Sequence, residues 1–151
     1  MAEPASEDLL ILVNAQDEET GFLPKTDCHR GRGQLHRAFS IFIFNRQNEL
    51  LIQKRSAQKP LWPLYWSNSC CSHPRRGESM DLATRRRLRE ELGLEVGRDV
   101  PGLHYLFKFQ YQVSFNPEFS ENELCHVYIG KSPAIPVVNK AEIADLQYIS
   151  K

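Results

Sequence analysis

The chain lacks a charge of either sign in excess: 19 Lys and Arg residues stand against 19 Asp and Glu among 151 positions. Non-specific nucleic-acid binding usually shows as a basic surplus, so the balance argues against a nucleic-acid partner and leaves room for a local anion pocket. No run approaches the roughly 20 apolar residues of a membrane span, so no membrane partner is expected. The opening MAEPASEDLL has neither the basic nor the apolar region of a signal peptide. Cysteine is scarce, with four residues in all. That is thin for a disulfide framework, so free thiols in a cytoplasmic, reducing setting are the expectation. Repeats, low-complexity tracts and internal linkers are missing too. What remains is a length suited to a single domain, 1–151, with residues 1–8 reading as a loose polar start.

Short patterned runs supply the elements. Leu9–Asn14 reads as a strand before a turn at Asp17–Gly21. Leu35–Asn45 is a long apolar strand, with Glu49–Arg55 as its hairpin partner across Arg46–Asn48. Pro60–Pro74 is punctuated by proline, part strand and part loop. Ser79–Leu92 is a helix: Ser79 caps its start, Gly93 ends it, and Met80, Thr84, Leu88 and Leu92 recur every four residues as one inward stripe. Arg87 and Glu91 occupy the adjacent row. Leu103–Phe115 alternates strictly, which puts Leu103, Tyr105, Phe107, Phe109, Tyr111, Val113 and Phe115 on one face. Glu121–Gly130 is a further strand with Glu121, Glu123 and Cys125 on one face. Ala141–Ser150 reads as a short helix and an edge strand. Several strands around one long helix mean α+β, or an α/β sandwich.

The stretch SNSCCSHP, Ser67–Pro74, raises the question of chemistry. In a strand, Cys70 and Cys71 point to opposite faces, and only Cys71 shares a face with His73. A disulfide between neighbouring cysteines is strained, and a zinc finger needs a second ligand pair that the chain does not offer. The pair is therefore neither a redox hook nor a finger. His29 and His36 flank a turn containing Gly31 and Gly33. Glu121 and Glu123, at i and i+2, repel each other unless a cation neutralises them. Three imidazoles and two carboxylates suffice for a five- or six-coordinate divalent metal. Glu90 and Glu91 near the helix end can hold Mg²⁺ on a diphosphate, or simply form a solvated charged face. Lys25, Arg55 and Lys59 are cations suited to phosphate oxygens, and Trp62 with Tyr65 and Trp66 forms an aromatic cluster, either core packing or the wall of an apolar pocket.

Four motifs together carry a resemblance: LHRAFSIFIFN, WSNSCCSHP, GES…RRRLREELG and ENELCHVY. From about Leu10 onward the chain resembles the type I isopentenyl-diphosphate Δ-isomerases, which have the Nudix fold, a mixed α/β/α sandwich. The Nudix box, G-x5-E-x7-R-E-U-x-E-E-x-G-U, is matched by Glu78, Arg86, Leu88, Glu90, Glu91, Gly93 and Leu94. Ser72 stands where the first glycine belongs. Arg87 replaces the glutamate that binds the catalytic metal in Nudix hydrolases, which points away from pyrophosphate hydrolysis. The resemblance implies interconversion of isopentenyl and dimethylallyl diphosphate in isoprenoid biosynthesis, with a small isoprenoid diphosphate as substrate. It implies Cys71 and Glu123 as the acid/base pair, and Tyr111 as hydrogen-bond partner of the glutamate. His29, His36, His73, Glu121 and Glu123 would hold Mn²⁺, Mg²⁺ or Zn²⁺. Glu91, with the Cys71 carbonyl, would hold Mg²⁺ on the diphosphate. Lys25, Arg55, Lys59, Ser72 and Arg87 would bind the diphosphate, and Trp62 would line the pocket. Family members continue past the position of Lys151 with helices that close the pocket, so that lid is expected to be missing here; a monomer or weak dimer is expected. Two other readings stand beside this one: a Nudix hydrolase of a nucleoside diphosphate derivative, and a non-enzymatic module binding metal or diphosphate.

Overall fold

The computed structural model describes residues 8–150; the loose start expected for 1–8 lies, but for Asp8, outside them. Strand β1, Leu9–Val13, pairs antiparallel with β2, Glu19–Pro24. A single turn of helix, α1 at Lys25–Cys28, leads into the glycine turn and then β3, His36–Phe44. β4 at Leu50–Arg55, β5 at Trp66–Ser67 and β6 at Cys70–Ser72 precede α2, Met80–Leu92. β7 at His104–Ser114, β8 at Ser120–Lys131 and β9 at Ile143–Ile149 complete the order.

β3 is the spine. One side of it is taken along its whole length by β8, in parallel from His36 opposite Glu123 to Phe44 opposite Lys131. The other side is shared in succession by β1 at His36, β6 at Phe39–Ile41 and β4 at Phe44. All other strand pairs are antiparallel, so the sheet is mixed. The expected hairpin of β3 and β4 therefore closes only at its mouth, Phe44 opposite Leu50. Beyond that pair β4 leaves to join β5 and β9. Alternation along β3 sends Phe39, Ile41 and Ile43 into a core with Leu88 and Leu92 of α2 and His36, Ala38 and Ser40 to the opposite face.

α2 forms as its local signals dictate. Ser79 Oγ accepts from Leu82 N–H at 3.2 Å, and Gly93 ends the helix with φ of 64°. A side chain at Gly93 would be strained twice, by that φ and by a Cβ placed 3.1 Å from Val137. That approach lets Val137 N–H donate to Leu92 C=O and Asn139 N–H to Glu91 C=O, docking the loop before β9 on the helix end.

Three local expectations are corrected. The turn after β1 comes at Ala15–Gln16, so Glu19–Gly21 are already strand. No helix precedes β9; residues 140–142 are a turn. Strict alternation over Leu103–Phe115 is interrupted by a bulge between Tyr105 and Phe107, which turns Tyr105 toward Tyr128 and His126. Phe107, Phe109 and Val113 do share a face, but each stays substantially exposed.

Candidate active site

Strand register assembles the site. Glu123 stands beside His36 across β3 and β8, Tyr111 opposite Glu123 and Val113 opposite Glu121 across β7 and β8, and Cys71 opposite Ser40 across β3 and β6. Paired residues share a sheet face, so chemistry-bearing groups from four strands project the same way. A cavity of about 410 Å³ lies over them. Its wall includes Cys71, Tyr111, Glu121, Glu123, His29 and His73, together with Lys25, Arg55, Lys59, Ser72, Arg87 and Trp62.

His29, His36 and His73 converge, with one nitrogen of each within 4.8 Å of the others. His29 Nδ1 donates to the Ser120 carbonyl at 3.1 Å and His36 Nδ1 to the Gln34 carbonyl at 2.7 Å. Each bond leaves the lone pair on Nε2. His36 Nε2 is buried without a hydrogen-bond partner, 3.5 Å from Glu123 Oε1. His73 Nε2 lies 3.0 Å from the same oxygen. Burial, then the neighbouring His36, hold His29 down at about 4, and burial holds His73 down at about 3. Both rings are neutral at pH 7, the form that ligates metals. An orphaned ring nitrogen among neutral imidazoles and a carboxylate is costly unless something fills it. This donor set fits a divalent metal.

Burial opposes a charge on Glu123, but the imidazoles of His73 and His36, 3.0 Å and 3.5 Å from its Oε1, outweigh it and hold its carboxyl well below the usual range. Burial and the Glu123 charge push Glu121 up to about 7. Tyr111 Oη lies 2.6 Å from Glu123 Oε2 and 2.9 Å from Glu121 Oε2. One hydroxyl has one proton to donate, so the carboxylate pair also needs a shared proton or a cation. Burial, then the Glu91 charge, push the Cys71 thiol up to about 11, so it keeps its proton at neutral pH. Cys70 points the other way, into the core, where its thiol donates to Glu91 Oε2 at 3.1 Å. None of the four cysteines is in a disulfide, as expected.

Lys25, Arg55, Lys59 and Arg87 line the same cavity, close enough for Lys25 to feel the charge of the other three. Burial and then the charges of Lys59 and Arg87 lower the Lys25 ammonium, as like charges gathered for an absent anion would. Arg87 Nε is buried with no acceptor. Trp62 packs its ring 5.2 Å from Phe115 at the rim. Glu91 lies beneath the wall rather than on it. It is buried, with Oε2 near Arg87 Nη2 at 3.1 Å and Oε1 accepting from Gln53 at 3.5 Å. Glu78 and Glu90 are tied to Arg86. Arg87, in place of a Nudix-box glutamate, spends its charge on Glu90 and Glu91. Sequence reasoning missed Glu142, which pairs with Lys59 and Arg87. It stands in a loop far along the chain from both, and no local signal marks it.

Residues 34–151 match the NUDIX domain family. The fold agrees: a Deinococcus radiodurans crystal structure aligns with a TM-score of 0.76 at 27% identity, over 95% of this chain and 83% of that one. A MutT protein from Methanosarcina mazei aligns with a TM-score of 0.61 at 17% identity, over 77% of each chain. The protein has an α+β Nudix fold. Among curated relatives it is 42% identical to the isopentenyl-diphosphate Delta-isomerase 1 of Photorhabdus laumondii, over 89% of this chain and 75% of the relative. It is 44% identical to the isopentenyl-diphosphate Delta-isomerase 1 of Aromatoleum aromaticum, over 95% and 77%. The chain belongs to the isopentenyl-diphosphate Δ-isomerase family within the Nudix fold.

Proposed function

We propose that this chain interconverts isopentenyl and dimethylallyl diphosphate by adding a proton at one carbon and removing one from another, a step in isoprenoid biosynthesis. The observation that carries the reading is one cavity that brings proton-bearing Cys71 and the Tyr111–Glu121–Glu123 group together with four cations. An unactivated alkene gains a proton only if a carbocation-like centre is tolerated. That calls for acid and base held close to a dry five-carbon chain.

Cys71 and Glu123 form the acid/base pair. Because the reaction runs both ways, whichever gives a proton in one direction takes it in the other. Tyr111 orients Glu123 through its 2.6 Å hydrogen bond. Lys25, Arg55, Lys59, Ser72 and Arg87 hold the diphosphate and so fix the alkene; Trp62 offers its ring to developing positive charge, worth about 0.5–2 kcal/mol. His29, His36, His73, Glu121 and Glu123 would hold Mn²⁺, Mg²⁺ or Zn²⁺, and Glu91 with the Cys71 carbonyl would hold Mg²⁺ beside the diphosphate. When bound, these ions supply positive charge that steadies Glu123 and offsets the substrate's negative charge. No helix among the described residues is long and apolar enough to cross a membrane. We place the chain in a reducing, cytoplasmic setting, where its cysteines would stay thiols, acting on a small molecule as a monomer or weak dimer.

The test is incubation with isopentenyl diphosphate and Mg²⁺. Allylic diphosphates are acid-labile and the substrate is not. Acid-labile product that vanishes with Cys71→Ala supports the reading; product formed equally by that variant overturns the assignment of Cys71.

A further inference from the structure

Behind the cavity's cations lies a residue that neither the Nudix box nor the cysteine and glutamate motifs mark. Glu142 ends the loop docked on α2, one residue before β9. Its carboxylate forms an ion pair with Lys59, and its Oε2 lies 3.4 Å from Arg87 Nη2. Lys59 and Arg87 both line the cavity, whereas Glu142 does not. It therefore grips the two cations from behind. All three side chains are largely buried, at 15%, 14% and 25% relative exposure for Lys59, Arg87 and Glu142. This is not a solvated surface bridge, whose contribution is near nothing.

The backbone around Glu142 makes it a junction. Its carbonyl accepts from Ser56 N–H at 3.0 Å, the residue after Arg55. Ser56 Oγ donates to the Ala141 carbonyl at 2.8 Å. Asn139, whose carbonyl accepts from Glu142 N–H, itself donates to the Glu91 carbonyl of α2. The segments carrying Arg55, Lys59 and Arg87 are thus stitched together at Glu142. Two long cationic side chains side by side repel each other and have many rotamers, and ordering them at the moment of binding would cost affinity.

We propose that Glu142 is a positioning residue that pre-organises Lys59 and Arg87 as a cradle for the substrate's diphosphate. This rests on the reading that the cavity's cations bind that group. The carboxylate removes one charge of attraction for the incoming anion, but it holds two fork-and-point donors in place before the anion arrives. Anchoring outweighs neutralisation.

The experiment is calorimetric titration of the metal-loaded protein with inorganic pyrophosphate and Mg²⁺, alongside steady-state kinetics with isopentenyl diphosphate. Glu142→Gln should weaken pyrophosphate binding about tenfold and raise KM by about the same factor, with kcat within about twofold. Equal or tighter binding by the variant would overturn the proposal and make Glu142 a mere competing counter-charge. A kcat loss with KM unchanged would overturn it too. Failure of the unsubstituted protein to bind pyrophosphate would instead sink the reading of the cavity's cations. If Glu142→Gln does not fold, Glu142→Asp decides the matter: withdrawing the carboxylate by one methylene should weaken pyrophosphate at least about threefold, and unchanged affinity would overturn the proposal.

Discussion

The two faces of β3 and β8 each carry a cluster of histidine, carboxylate and cation, and only one of them is complete. On one face His36 and Glu123 meet His29 and His73, and His36 Nε2 has no partner. On the other, from the residues next to His36 and near Glu123 in sequence, Arg37 donates to Asp17 Oδ1 at 2.8 Å and to its carbonyl at 2.7 Å. His126 Nε2 and Lys108 Nζ close on Asp17 Oδ2 at 2.8 Å and 3.3 Å. Asp17 adopts φ of 63° to present both groups to Arg37, a conformation Asp and Asn tolerate better than most residues. The satisfied network ties the β1–β2 turn to the sheet. The unsatisfied one faces a cavity. A buried polar cluster that meets all its own needs is built for stability; one that leaves a donor or lone pair over is built for a ligand.

The largest effects should separate the faces cleanly. Cys71→Ala and Glu123→Gln should each lower turnover about 10²–10⁴-fold while the circular dichroism melt stays within a few degrees. A variant that keeps turnover would break the contrast. Next, His36→Gln should lower the divalent metal retained after loading and dialysis, read by elemental analysis, and His126→Gln should retain as much as the unsubstituted protein. Equal loss in both would mean that the cavity histidines are not special. Asp17→Asn keeps the backbone geometry but removes the charge, so it should cost about 2 kcal/mol in urea unfolding and leave turnover nearly intact. The smallest effect is in pH. Burial outweighs the pull of Asp17 and lowers the folded-state value of His126 below its ordinary 6.5; Asp17, Lys108, Arg37 and the Tyr105 ring surround it. The unfolded chain then takes up the proton first. Stability relative to His126→Gln should therefore fall as pH drops from about 6.5, and be unaffected above it. Denaturant midpoints at matched pH values check this, and parallel curves would refute it.

How far the sequence carried depends on whether a signal is local. The α2 boundaries were legible because Ser79, Gly93 and the four-residue stripe all lie within the helix they define. The face shared by Cys71 and His73, and that of Glu121 and Glu123, followed from period two alone. β3 and β4 were misjudged as a full hairpin because the edge of β3 is claimed by β1 and β6, pairings no short window contains. β2 is hidden because Asp17–Gly21, with its acidic run and glycine, reads as a turn although Glu19–Gly21 are strand. Tyr105 was set on the wrong face because a bulge at Leu106 leaves no trace in an alternating sequence. Of the residues that the resemblance named, the structure gathers all but two in the lining of one cavity; His36 lies behind it beside Glu123, and Glu91 sits deeper, held by Cys70, Gln53 and Arg87. Glu142 was illegible because its partners Lys59 and Arg87 reach it only in three dimensions.

The claim that the cavity face is a proton-transfer centre is tested most directly by proton NMR of isopentenyl diphosphate with the metal-loaded protein and Mg²⁺ in D₂O. The account predicts dimethylallyl diphosphate with deuterium in the new methyl group, at a rate abolished by Glu123→Gln. Release of inorganic phosphate or pyrophosphate without any allylic product would contradict it and return the chain to the hydrolases of its fold.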